Sequence, residues 1–131
     1  MMKQQVIEAV KLELDSKYQQ ASELVKQLQE SLFSESKSSA GDKHETARAM
    51  VQIELEQASK QLKEVEQLIN NFEKIKKISR SSIGLGSLIE TNVGWFYLSI
   101  PLGKVLVVQE EVFCLGITAP IAKLFLNGKV G

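Results

Sequence analysis

"KKISRSSIGLG", residues 76–86, divides the chain into two chemically different parts. Before it the sequence is dense in Glu, Lys and Gln. Of the 16 basic and 16 acidic residues, only Glu90, Lys104, Glu110, Glu111, Lys123 and Lys129 lie beyond position 80. Gly and Pro divide the same way: Gly41 is the only glycine before Gly84, and both Pro101 and Pro120 come late. A shift from charged, breaker-free sequence to apolar, Gly-punctuated sequence predicts a change from helix to sheet. The predicted boundary puts residues 1–78 in a helical unit and 79–131 in a small β-rich one, an α+β chain.

On the helical side the apolar residues are periodic. Ile7, Val10, Leu14, Ala21, Leu24 and Leu28 follow steps of three and four, with Lys17 and Ser31 in the remaining seam positions. Val51, Leu55, Ala58, Leu62, Val65, Ile69 and Phe72 continue the pattern without a fault. Two such seams, each flanked by charged residues, predict amphipathic helices that bury their stripes against each other. "SESKSSAGD", residues 34–42, is rich in Ser and carries Gly41, the chemistry of a chain reversal. The two helices are therefore expected to form an antiparallel hairpin, roughly 45 Å long at about 1.5 Å per residue.

On the other side, "GSLIETN", "GWFYLSI", "KVLVV" and "VFCLGI" are short runs rich in β-branched and aromatic residues. They predict a small antiparallel sheet or half-barrel, with a tight turn at Asn92–Gly94 and turns at "PLG" and "QEE". "APIAKLFLNGK", residues 119–129, suits a short helix after Pro120. No run is apolar and long enough to span a membrane, and the amino terminus has no signal-peptide core. Equal numbers of acidic and basic residues give no overall pull toward nucleic acid or membrane. The single Cys114 excludes an internal disulfide and suits a reducing compartment. The chain thus reads as soluble and cytoplasmic.

Several features have an ordinary structural reading. Trp95, Phe96 and Tyr97 point alternately to opposite faces of a strand, which suits core packing better than a stacking platform for bases. Cys114, within an apolar strand, reads as a small core residue. Gly84 and Gly86 are too sparse for a phosphate loop. The basic run at residues 74–80 either offsets the carboxyl end of the second helix or contacts an anionic partner. No nucleophile and base stand at a spacing that would make a self-contained enzyme.

"GDKHETARAM", residues 41–50, carries the candidate chemistry. Asp42 and Glu45, three residues apart at a helix start, suit a capping box in which Asp42 caps and Glu45 is the third helical residue. They equally form a carboxylate pair able to share a Mg²⁺ completed by other ligands, because Mg²⁺ takes oxygen donors and leaves part of its shell open. One His and one distant Cys are too few for a protein-only transition-metal site.

The segment resembles the Gre transcript-cleavage factors of bacterial RNA polymerase, whose hairpin tip reads roughly G-D-L-S-E-N-A-E-Y. Gly41, Asp42, Glu45 and Ala47 match in register, while Lys43 and His44 replace Leu and Ser and Arg48 and Ala49 replace the second acid and the aromatic. "ITAPIAKLFLNGKVG", residues 117–131, is similar to the family's I-S-x-x-S-P-L-G-K-A-L-x-G-K-x-x-G segment. The resemblance implies a coiled-coil stalk with its acidic tip at 38–46, then a prolyl-isomerase-like (FKBP-like) β domain shortened at its end, which could self-associate through an open edge. It implies entry into the polymerase secondary channel and Mg²⁺-dependent cleavage of backtracked RNA near its 3′ end. Asp42 and Glu45 would be the catalytic, metal-holding pair, and Lys43, His44 and Arg48 would contact RNA or polymerase. The chain would be a cofactor of the polymerase's own cleavage. The residues alone leave open a polymerase-binding regulator without chemistry, or a coiled-coil interaction module.

Overall fold

The computed structural model describes residues 1–37 and 42–126, without the side chains of 35–37 and 42–44. Two long helices, α1 (Lys3–Lys37) and α2 (Asp42–Ile75), precede four strands, β1 (Leu88–Thr91), β2 (Gly94–Leu98), β3 (Gly103–Val107) and β4 (Glu110–Leu115), and a short helix α3 (Pro120–Phe125). The architecture is α+β, as the composition boundary predicts. Helix α1 runs through Ser34–Lys37, residues whose Ser content suggested a loop; the reversal expected at 38–41 lies outside the described residues.

The chain divides into two compact units. One comprises residues 1–14 and 68–131; the other comprises residues 15–67. Helices α1 and α2 contribute to both, so the units do not coincide with the 1–78 and 79–131 division suggested by composition.

In the first unit the amino-terminal end of α1 and the carboxyl-terminal end of α2 pack with the sheet. Helix α1 starts cleanly because the Met2 N–H donates to Gln5 Oε1 at 2.9 Å, the reach-back half of a capping box. Val6, Val10 and Leu14 recur every four residues and are buried with Phe72 and Ile75 of α2. These five join Tyr97, Ile100, Val105, Val107, Val112 and Cys114 in one core. Phe72 meets Tyr97 edge to face, 6.4 Å between ring centroids at 89°, a geometry that adds about 0.5–1.5 kcal/mol to the area buried.

Helix α2 stops at Ile75, and the chain turns back through Ile78, whose carbonyl accepts a hydrogen bond from Lys3 Nζ at 2.7 Å. Partial burial lowers the Lys3 pKa from its ordinary value. Gly86 is required at the approach to β1. Its φ is +91°, and a Cβ there would sit 2.9 Å from Ile78 Cβ.

The sheet is mixed, which corrects the antiparallel expectation. Its order is β1-β2-β4-β3, with antiparallel pairs β1–β2 and β3–β4 and a parallel pair β2–β4. The β1–β2 hairpin turns between Thr91 and Gly94, as predicted. After Leu98 the chain passes the end of β4, where Ser99 N–H donates to the Leu115 carbonyl at 2.7 Å, and enters β3 on the far side. Two strand spacings are about 10 Å, within reach of the five residue steps from Leu98 to Gly103. The β3–β4 turn lies at Val108 and Gln109, with φ of 48° and 68°. This is the two-residue, doubly left-handed hairpin turn usually made by Asn-Gly, so "QEE" is not the turn: Glu110 and Glu111 already belong to β4.

Alternation along the strands covers both faces. Tyr97, Val105, Val112 and Cys114 face the helix ends, while Phe96 stacks on Phe113 at 5.5 Å and meets Phe125 of α3 at 5.2 Å with the rings tilted by 44°. Ala122 anchors α3, fully buried. Trp95, Phe96 and Tyr97 are packing residues, and Cys114 is a buried free thiol, both as read from the sequence.

In the second unit the α2 stripe is the predicted one. Val51, Leu55, Leu62 and Val65 are half-buried and Ala58 is buried. On α1 the stripe differs from the expected seam: Ala21, Ser22, Val25, Leu28 and Leu32 are withdrawn from solvent, whereas Leu24 is 42% exposed. The stripe also begins on the buried Val6 rather than on the half-buried Ile7 of the expected seam, and across Lys17 the apolar steps allow either Leu24 or Val25.

Leu14 and Leu24 therefore have different energetic weights. Leu14→Ala is expected to lower unfolding stability by about 2–5 kcal/mol through cavity formation, while Leu24→Ala costs less than about 1 kcal/mol. Chemical denaturation of the two variants checks this, and equal losses would restore Leu24 to the seam.

Candidate functional site

The start of α2 sets the position of the acidic pair. Asp42 is the first residue of the helix and Glu45 lies three residues on. Positions i and i+3 of a helix are neighbours, about 5–6 Å apart at Cβ, so the backbone places both residues on one face of the first turn. Glu45, Thr46, Arg48 and Ala49 are exposed, and Ala47 is half-buried on the stripe that continues through Val51. Arg48, three residues after Glu45, is also its neighbour along the helix. The side chains of Asp42, Lys43 and His44 lie outside the described residues, and with them the capping box and any contact of His44.

The donor set decides what such a pair can hold. Asp and Glu supply hard oxygen ligands, which suit Mg²⁺. Two carboxylates cannot enclose a six-coordinate ion, and the amino end of a helix favours anionic side chains rather than a cation beside them. Among the described residues no group of three or more His, Cys, Asp or Glu is arranged to hold a metal. As a donor set, two carboxylates supply only part of the oxygen shell that Mg²⁺ takes.

Elsewhere the described surface offers less. Gln19, Gln20, Glu23, Leu24 and Gln27 line a shallow groove along α1 that presents no nucleophile or base pair. Among the described residues no helix is long and apolar enough to cross a membrane. At Gly84 a Cβ would meet only the Arg80 guanidinium, the far end of a flexible and exposed side chain, so space alone does not require glycine there.

Sequence reasoning did not anticipate the polar groups inside the first unit. Tyr97 Oη and Ser99 Oγ are buried without a hydrogen-bond partner. Tyr97 lies opposite Cys114 in the parallel register. Burial pushes the Tyr97 hydroxyl up to about 12, with the neighbouring Cys114 adding to the rise, and burial pushes the Cys114 thiol up to about 12 as well. Both groups are held neutral, and Cys114 is not a thiolate nucleophile at neutral pH. A pleated strand makes Tyr97 a core position by alternation, but nothing in the sequence shows whether its hydroxyl finds a partner.

Comparison with known protein families, curated proteins and solved structures finds no match to this chain.

The buried hydroxyl has a measurable consequence. Its pKa is raised above the ordinary 10.0, so folding favours the protonated form. That stability is fully present below the unfolded-state pKa and is lost as pH rises toward about 12. Tyr97→Phe removes an unpaired hydroxyl, so at neutral pH it should change stability by less than about 1 kcal/mol. Between pH near 9 and 12 the variant should become more stable than wild type by on the order of 2 kcal/mol. Denaturant midpoints across this pH range decide it, and a constant difference would mean that Tyr97 ionises equally in both states.

Proposed function

We propose that this protein is a transcript-cleavage type elongation factor, which enters the secondary channel of a bacterial RNA polymerase and assists hydrolysis of backtracked RNA. The observation that carries this reading is the position of Asp42 and Glu45. They open the second of two consecutive helices of 35 and 34 residues, and a small sheet-containing unit comes after them in the chain. That order of elements, with acids at the start of the second long helix, suits delivery of carboxylates into a narrow channel.

In this reading the polymerase provides the primary catalytic site and this chain provides two ligands. Asp42 and Glu45 would be the residues that help hold a Mg²⁺, which would supply activation of the attacking water and neutralisation of developing charge. Water adds to phosphorus, the bond to the ribose 3′ oxygen breaks, and a proton passes to that oxygen, leaving a new 3′ hydroxyl on the upstream RNA. Arg48, exposed three residues after Glu45, would contact RNA phosphates or polymerase in this reading, as would Lys43 and His44 by their positions in the sequence. The chain alone is then not an enzyme, and the prolyl-isomerase-like β domain would dock it on the polymerase.

One observation favours a second reading. Arg48 is a cation adjacent to Glu45 along the helix, and Lys43 lies between the two acids in sequence. Carboxylates neutralised in this way would make the hairpin a polymerase-binding regulator, or a coiled-coil interaction module, without chemistry.

A backtracked elongation complex separates the readings. Wild-type protein with Mg²⁺ is expected to shorten the RNA from its 3′ end. Asp42→Asn with Glu45→Gln should lower the cleavage rate by at least about tenfold, while circular dichroism and polymerase binding stay unchanged, because Asn remains a good cap. Cleavage that survives both substitutions contradicts a chemical role for the pair. Binding without cleavage by the wild type supports the regulator.

A further inference from the structure

The sheet ends in two strand edges, and they differ in what they show to solvent. With the order β1-β2-β4-β3, β1 and β3 each pair within the sheet on one side only. Strand β1 is four residues long, and three of them are half-buried. Strand β3 has five residues, of which Gly103, Lys104 and Leu106 are exposed. Among the described residues β4 is the one strand that pairs with β3, so backbone N–H and C=O groups along Gly103–Val107 face away from the sheet. Leu106 stands on that edge 68% exposed. A lysine on an edge strand ordinarily keeps the edge from pairing. Here Lys104 lies over its own sheet, its Nζ 3.7 Å from Glu111 and 6.0 Å from the centre of the Phe113 ring. Both side chains of this loose pair remain more than half exposed, which leaves Glu111 open to a second cation.

We infer that the outer edge of β3 pairs antiparallel with β3 of a second copy of this chain, joining two four-stranded sheets into one. An open edge selects an extended strand, because a strand matches the spacing of its donors and acceptors. The residues of β3 then select its own copy. Val105 is the middle residue of the strand, so a two-fold axis beside it pairs all five residues. Val105 then lies opposite Val105 of the second copy, Gly103 opposite Val107, and Lys104 opposite Leu106. No like charges meet, and the valines extend the core-facing side of the sheet. On the other face each Leu106 falls between Glu111, its neighbour in the β3–β4 register, and Lys104 of the second copy. The lysine stem covers the exposed leucine while its ammonium reaches toward that Glu111, a contact repeated by symmetry. The edge is thus self-complementary in charge and in apolar cover. This inference is independent of whether the pair at the start of α2 is chemical.

The test follows the full chain by sedimentation equilibrium, with amide hydrogen exchange read at the strands. Wild type is expected to dimerise with a Kd below about 100 µM, and dilution should speed exchange at Gly103–Val107 more than at β1. The exchange measurement needs no variant. Leu106→Lys sets like charges opposite each other twice per dimer and should weaken association at least about tenfold. Its side chain is exposed, so the core is left intact, and circular dichroism melting checks the fold. Adding Lys104→Glu places an acid opposite each new cation and should return the Kd to within about threefold of wild type, a rescue that a merely structural loss would not show. A monomer up to about 200 µM, a dimer indifferent to Leu106→Lys, or a loss that Lys104→Glu does not restore would overturn the inference. Slow exchange along β3 in a monomer would overturn it too, since the edge would then be covered within one chain.

Discussion

The contact between the helix ends and one face of the sheet is the interaction on which the rest of the first unit depends. Val6, Val10 and Leu14 from α1 and Phe72 and Ile75 from α2 share one core with Tyr97, Val105, Val112 and Cys114. A four-stranded sheet of four to six residues per strand has little apolar area of its own, and without these helical residues one face would be open to water. The dependence runs both ways. An isolated helix owes most of its stability in a protein to tertiary packing, and here the sheet supplies the surface on which the two helix ends are fixed. That anchorage holds the first residues of α1 and the last residues of α2 in one core.

The mixed sheet follows from the same constraint. Placing β4 between β2 and β3 brings Tyr97, Cys114, Val112 and Val105 into neighbouring register on the core face. The opposite face then carries Phe96 and Phe113 together, and α3 closes over them through Phe125. The cost is local: Val108 and Gln109 adopt left-handed backbone, which for a β-branched residue is unfavourable by roughly 1–2 kcal/mol. Tyr97 Oη and Ser99 Oγ add two unpaired buried hydroxyls. A one-residue slip of register would turn the core-facing residues to the opposite face, so the observed pairing is kept despite these local costs.

Legibility in the sequence varied with the physics of each element. The composition change at residues 76–86 marked helix against sheet because charge, Gly and Pro respond directly to solvent exposure and backbone geometry. The α2 stripe is legible to the residue, since its apolar steps are unambiguous; on α1 the adjacent Val6 and Ile7, and Leu24 and Val25, fit the period about equally, and the polar Lys17 between them gives no means to choose. Strand existence was legible from β-branched and aromatic runs, but pairing was not, because the order of strands along the chain does not determine which edges meet. Nor did Val108–Gln109 carry any turn signal, since the turn is imposed by the pairing of β3 with β4. At the acidic pair, spacing located the residues at a helix start but could not distinguish capping from metal binding, as both need carboxylates there.

The central functional claim is that the end of the hairpin reaches the reacting RNA. The most direct measurement places a photo-crosslinking amino acid at Ala49, exposed one turn beyond Glu45, and irradiates the protein bound to a backtracked elongation complex carrying RNA labelled near its 3′ end. The account predicts a crosslink to the backtracked RNA near its 3′ end that is lost when the complex is moved forward. Polymerase binding without that crosslink, or the same crosslink in both states, would contradict delivery of Asp42 and Glu45 to the site of cleavage.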